Sequence, residues 1–193
     1  MEYVNSVKGK ILLGFLFAAI VFVAFNGTGN MNHYSMHVWL HVAAGVLWVG
    51  LLYYFNFVQV PGMGEALADT DGPGPAAIGK YIAPRALLWF RMAAATTWAL
   101  GLILLALQGR GVDGVVGAFT LAQGYEIIGI GAWMGTIMAF NVWIIIWPNQ
   151  QKILGMVSAS AEEIVTAKKN AALASSINVI LSIPMLLAMI AWH

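Results

Sequence analysis

His33, His37 and His41 recur every four residues, so on a helix they form one stripe, with the thioethers of Met31 and Met36 among them. A neutral imidazole ligates iron or copper through one ring nitrogen, and thioethers suit copper. The sequence holds four histidines and no cysteine, which excludes disulfides, thiolate metal sites, iron–sulfur clusters and covalently attached c-type haem within these residues. Two ligand sets are therefore open. One is a b-type haem on His41, with His37, His193, Met185 or Met189 as the second axial ligand. The other is a copper site built from Met31, His33, Met36, His37 and His41.

Each of these residues also has an ordinary reading. His33 and His37 suit a headgroup layer, and His193 is the last residue. His41 should lie about one turn inside an apolar zone, where an ionisable residue is a functional candidate by default. Glu126 either faces headgroups or accepts a hydrogen bond from a ligating imidazole and orients it, which places it in the candidate metal set with His41, His37, His33 and Met36. Arg91 either snorkels or pairs with an anion such as a haem propionate or an anionic substrate, or with a quinone.

These side chains need something to position them, and the composition specifies what. Of 193 residues, 61% are hydrophobic and 9% charged, against about 25% charged in a soluble domain. The expected fold class is an all-α integral membrane protein, a single domain over residues 1–193. About 20 mostly apolar residues cross a bilayer. Five stretches qualify, approximately Ile11 to Phe25, His37 to Val60, Pro84 to Leu107, Glu126 to Trp147 and Ala171 to Trp192. The first reads as a retained span rather than a removed signal peptide. Pro61 to Gly79 reads as a loop, Val115 to Gln123 as an interfacial or re-entrant piece, and Asn149 to Asn170 as containing a surface-lying helix. Small residues such as Gly45, Gly50, Ala93 and Gly101 allow close helix approach or room for a flat macrocycle.

Lys8, Lys10, Lys80, Arg85, Lys152, Lys168 and Lys169 fall on one side of this map and Arg110 on the other. The positive-inside rule then places the N-terminus in the cytoplasm and the C-terminus in the periplasm of a bacterial inner membrane. On that topology all four histidines gather at the outer side. The expected partners are the lipid bilayer, a c-type cytochrome or other membrane subunits, and further copies of the chain; no nucleic-acid partner is expected.

The stretch Leu40-His41-Val42-Ala43-Ala44-Gly45-Val46-Leu47-Trp48-Val49-Gly50, then Tyr53-Tyr54-Phe55, Lys80-Tyr81-Ile82-Ala83-Pro84, Trp89-Phe90-Arg91 and Thr97-Trp98-Ala99-Leu100-Gly101, resembles the membrane domain of the PuuD family, the cytochrome-c-linked urate oxidases or urate hydroxylases. The resemblance covers about a third of the chain. It implies an inner-membrane redox protein that passes electrons to a c-type cytochrome. This chain lacks that family's cytochrome c module and the rest of its longer membrane domain, so a separate acceptor is implied. More distantly, His41 to Trp48 followed by a Thr-Trp-x-x-Gly helix is similar to HemJ-like haem proteins and CopD-like copper proteins. In the former an early helical histidine ligates haem, and His41 matches it.

Overall fold

The computed structural model describes residues 6–26, 31–109 and 111–192. Those residues are helical with no strand, and five helices are long and apolar enough to cross a membrane. The chain divides into two compact units, Met1–Trp39 and Leu40–His193.

In the first unit, α1 (Val7–Asn26) is started by Ser6, whose hydroxyl accepts from Gly9 N at 3.0 Å. Its circumference is apolar, with Phe15, Phe17, Val21 and Val23 all exposed. By length and composition α1 could cross a membrane, and an apolar surface on all sides is compatible with that. Asn32 starts α2 (His33–Tyr54) by accepting from Ser35 N at 2.9 Å. The division between the units falls within α2.

In the second unit α2 runs through a π turn, Phe55–Gln59, into α3 (Val60–Ala68). A second π turn, Ile78–Ile82, leads into α4 (Ala83–Gln108). The short α5 (Val112–Phe119) precedes α6 (Glu126–Phe140), which passes through a third π turn, Asn141–Ile146, into α7 (Trp147–Ile153). The last helix is α8 (Ala161–Ala191). Each π turn ends two residues before a proline: Pro61, Pro84 and Pro148. Proline lacks an N–H and its ring clashes with the carbonyl four residues back. In each case that carbonyl, of Phe57, Lys80 or Ile144, sits inside the wider turn, so the helix absorbs the proline by local expansion instead of breaking.

Two expected boundaries are corrected by this architecture. The loop expected over Pro61 to Gly79 is helical as far as Ala68, because the π turn accommodates Pro61 and Glu65, Ala66 and Leu67 favour helix. The polar run from Asn149 to Asn170 holds no separate surface helix. Its later part is the first third of α8, begun by a capping box in which Ser160 Oγ accepts from Glu163 N and Glu163 accepts from Ser160 N. No glycine or proline interrupts α8 before Pro184, so the helix continues from its charged start into the apolar span. Val115 to Gln123 is, as expected, a separate short piece, α5 and its following turn.

The core of this unit is centred on Trp48, Leu52, Phe90, Ala94, Met138 and Val142. From α8 it receives one stripe of mostly small or polar side chains, including Ala171, Ala174, Asn178 and Ser182. Close approach at the α5 end depends on missing side chains. A Cβ on Gly114 would lie 2.2 Å from Leu105 O, and one on Gly129 would lie 2.2 Å from Ala118 O, so α5 packs backbone to backbone between α4 and α6.

Candidate functional site around His41

The histidine stripe makes two different sets of contacts. His33 is exposed at the start of α2, and the half-buried His37 turns its ring onto its own helix, Nδ1 lying 2.7 Å from His33 O. His41 is also half-buried, but its Nδ1 lies 2.9 Å from Thr97 O on α4. A carbonyl only accepts, so Nδ1 carries the proton, and the lone pair of the neutral ring is left on Nε2. Thr97 offers that carbonyl without breaking its own helix, because the oxygen has two lone pairs. Its hydroxyl is occupied separately, donating to Ala93 O at 2.7 Å.

Gly101, one turn beyond Thr97, makes room for the ring: a Cβ there would stand 3.2 Å from His41 Cε1. Gly101→Ala should therefore shift the imidazole by a few tenths of an ångström. The helix-propensity gain of up to about 1 kcal/mol opposes that crowding, so net stability should stay within about 1 kcal/mol of the parent. In protein labelled with ¹⁵N-histidine, the His41 Nδ1–H resonance should move while those of His33 and His37 stay in place. An unmoved resonance would mean that the glycine does not shape the site.

The other described candidates make contacts of their own. Glu126 is exposed at the start of α6 and accepts from Gly124 N at 2.8 Å, so it holds the preceding turn. Met185 is buried in the main core, and Met189 packs beside Gly131 of α6. His193 lies outside the described residues. Arg91 precedes Thr97 by six residues, about 9 Å of helical rise, and stacks on Trp147, with Cζ 3.7 Å from the ring centroid. In the first unit Met31 and Met36 line a cleft of about 200 Å³ with Phe22 and Trp39. Among the described residues no three His, Asp or Glu side chains converge as a metal site.

A polar core lies inside the apolar helices, and the sequence pattern gave little sign of it. Asn141 Nδ2 donates to Asn178 Oδ1 at 2.8 Å, Asn178 Nδ2 donates to Met138 O at 3.0 Å, Tyr53 and Ser182 share a hydrogen bond of 2.9 Å, and Asn56 donates to Ser175 at 2.8 Å. Its sequence signal is the presence of Asn56, Asn141 and Asn178 within otherwise apolar runs. Among the described residues two buried side-chain atoms have no hydrogen-bond partner, the Trp48 indole N–H and Gln59 Oε1.

Residues 117–193 match the family model for the urate oxidase N-terminal region. The match supports a urate-oxidase-related family over about two-fifths of the chain, and it falls on the end of α5 and on α6 to α8. No curated protein and no solved structure matches the chain. The matched segment thus contains Asn141, Asn178 and Ser182 of the polar core, while His41, Thr97 and Gly101 lie before it.

The donor chemistry at His41 fits the imidazole ligand that a b-type haem would need. Ligating histidines characteristically donate their second ring N–H to a carboxylate or backbone carbonyl, which fixes the tautomer and the ring plane. His41 does this through Thr97. Trp48, two turns further along α2, adds a buried N–H without an acceptor.

Proposed function

We propose that this chain is a multi-pass inner-membrane redox protein of PuuD-like type, concerned with urate oxidation, which holds b-type haem on His41 near the periplasmic face and passes electrons to a separate c-type cytochrome. The observation that carries the reading is the His41 Nδ1–H···O=C hydrogen bond to Thr97. The match over residues 117–193 supports the urate connection, and the five apolar helices support the membrane. The basic residues on one flank support a cytoplasmic N-terminus. When bound, haem b supplies a one-electron ferric–ferrous couple. The chain's own contribution is positional: Thr97 holds the imidazole proton on Nδ1, Gly101 gives the ring its place, and α2 and α4 keep Nε2 at a fixed bearing. These 193 residues contain no cysteine, so a c-type haem would be attached outside them.

The purified chain should show a Soret band with reduced-minus-oxidised features of b-type haem, and with urate as electron donor it should reduce added cytochrome c. A haem-free protein that leaves cytochrome c oxidised in the presence of urate would sink this reading. The cleft with Met31 and Met36 favours one alternative, a copper-handling protein. Elemental analysis of the same preparation separates the two, because that alternative requires copper without haem. A non-catalytic subunit would carry neither and would co-purify with other chains or with copies of itself.

A further inference from the structure

Arg91 is the basic residue that the haem reading leaves without a task. Its guanidinium face lies on the Trp147 ring, 3.7 Å from Cζ to the centroid. A cation–π contact uses the face of the guanidinium and leaves the N–H donors along its edge available. Among the described residues no carboxylate pairs with Arg91, and the ion pair found there joins Lys152 to Glu163. Lys80 lies 5.3 Å from the Tyr81 ring centroid, and Arg85 donates to Tyr81 O. A half-buried cation in an apolar segment, with no carboxylate beside it among the described residues, suits an anion at its open edge.

The depth of the pair selects the kind of anion. From Gln108 back to Arg91 is seventeen residues of α4, about 26 Å, against a hydrocarbon thickness of about 30 Å. Trp147 stands where span four turns polar, with Asn149, Gln150, Gln151 and Lys152 following. Tryptophan is enriched at that boundary. Arg91 thus roots just inside the apolar layer and ends at headgroup level, on the flank that carries most of the lysines.

We infer that Arg91 of α4, held on the face of Trp147 at the start of α7, binds the phosphodiester headgroup of an anionic phospholipid of the inner leaflet. The planar guanidinium suits two phosphate oxygens, and the indole fixes its orientation beforehand. The site rests on the bilayer-spanning reading and is independent of haem.

Delipidated full-length protein in mild detergent, titrated with phosphatidylglycerol and followed by native mass spectrometry, should retain one lipid. Arg91→Gln should weaken that binding about fivefold, the loss corresponding to roughly 1 kcal/mol for one basic residue at an anionic surface. Trp147→Leu should weaken it as well, and it carries the test if Arg91→Gln fails to fold. Arg85→Gln should leave binding unchanged, and phosphatidylcholine should bind more weakly to the parent. Unchanged binding in both the Arg91 and the Trp147 variants would overturn the site, as would equal competition by inorganic phosphate, which would make the ligand a soluble anion. Release of the chain from membranes by alkaline carbonate would overturn the bilayer reading and the lipid site together. Retention with unaltered lipid binding would overturn the lipid site alone.

Discussion

His41→Ala should strip b-type haem from the purified protein, lowering the Soret absorbance per chain at least about tenfold while the bundle stays folded. The size of the expected loss follows from what the ring does. His41 is the described histidine whose proton is held by the backbone of another helix, so its Nε2 is presented in one tautomer and one direction. His37 is tied to its own preceding turn, and His37→Ala should keep the Soret band. Folding should survive in both variants, because one interhelical hydrogen bond in a membrane bundle contributes about 0.6 kcal/mol on average and about 1.7 at most. Loss of haem without loss of helicity would therefore report ligation and not collapse. Thr97→Val is the informative control: it removes the hydroxyl bonded to Ala93 O but keeps the backbone carbonyl that His41 uses, so haem should remain. A Soret band of parental height in His41→Ala would remove the imidazole from the site and with it the central claim about function.

The four-residue spacing places three histidines in one stripe, and the chain does begin a helix at His33. Spacing alone cannot show that the His37 ring satisfies itself locally while His41 finds a partner on α4, because that choice depends on which helix lies opposite. The number of apolar helices is legible because a helix able to cross a bilayer needs a long unbroken apolar run, and five such runs stand out. Boundaries are harder where polarity and helicity part company. The charged run before Ala171 suggests a separate element, although Ser160 and Glu163 carry the spacing of a capping box, which marks a helix start whether polar or apolar residues come after it. Pro61 suggests a break, and the π turn that absorbs it shows that proline penalises the α register, not the helix. Buried amides are hidden for another reason. A lone asparagine in an apolar run barely changes its mean hydropathy, and its importance emerges only when its partner from another helix is known.

Such a buried amide carries the largest stability effect expected in the chain. Asn178 is fully buried, accepts from Asn141 Nδ2 at 2.8 Å and donates to Met138 O at 3.0 Å. Asn178→Ala removes both bonds, strands a buried Asn141 amide at about 1–3 kcal/mol, and leaves a small void in a core where packing is the main attraction between helices. The combined cost should be about 3 kcal/mol in denaturant unfolding from mild detergent. Tyr53→Phe at the neighbouring pair is the comparison. It deletes one bond, but Ser182 still donates to Val179 O at 2.7 Å, so its cost should stay near the average of about 0.6 kcal/mol. The contrast separates two accounts of the polar core. If interhelical hydrogen bonds contribute equally, Asn178→Ala should cost about twice Tyr53→Phe; if stranding a buried amide dominates, the ratio should be nearer about five. In the second case, adding Asn141→Ala to Asn178→Ala should recover part of the loss, since the stranded amide disappears with it. Met138 lies three residues before the π turn at Asn141–Ile146, so the same substitution should loosen α6 where its register changes, inside the segment that matches the urate oxidase N-terminal region. A loss below about 1 kcal/mol for Asn178→Ala would mean that the two asparagines are passengers in a core held by apolar packing alone.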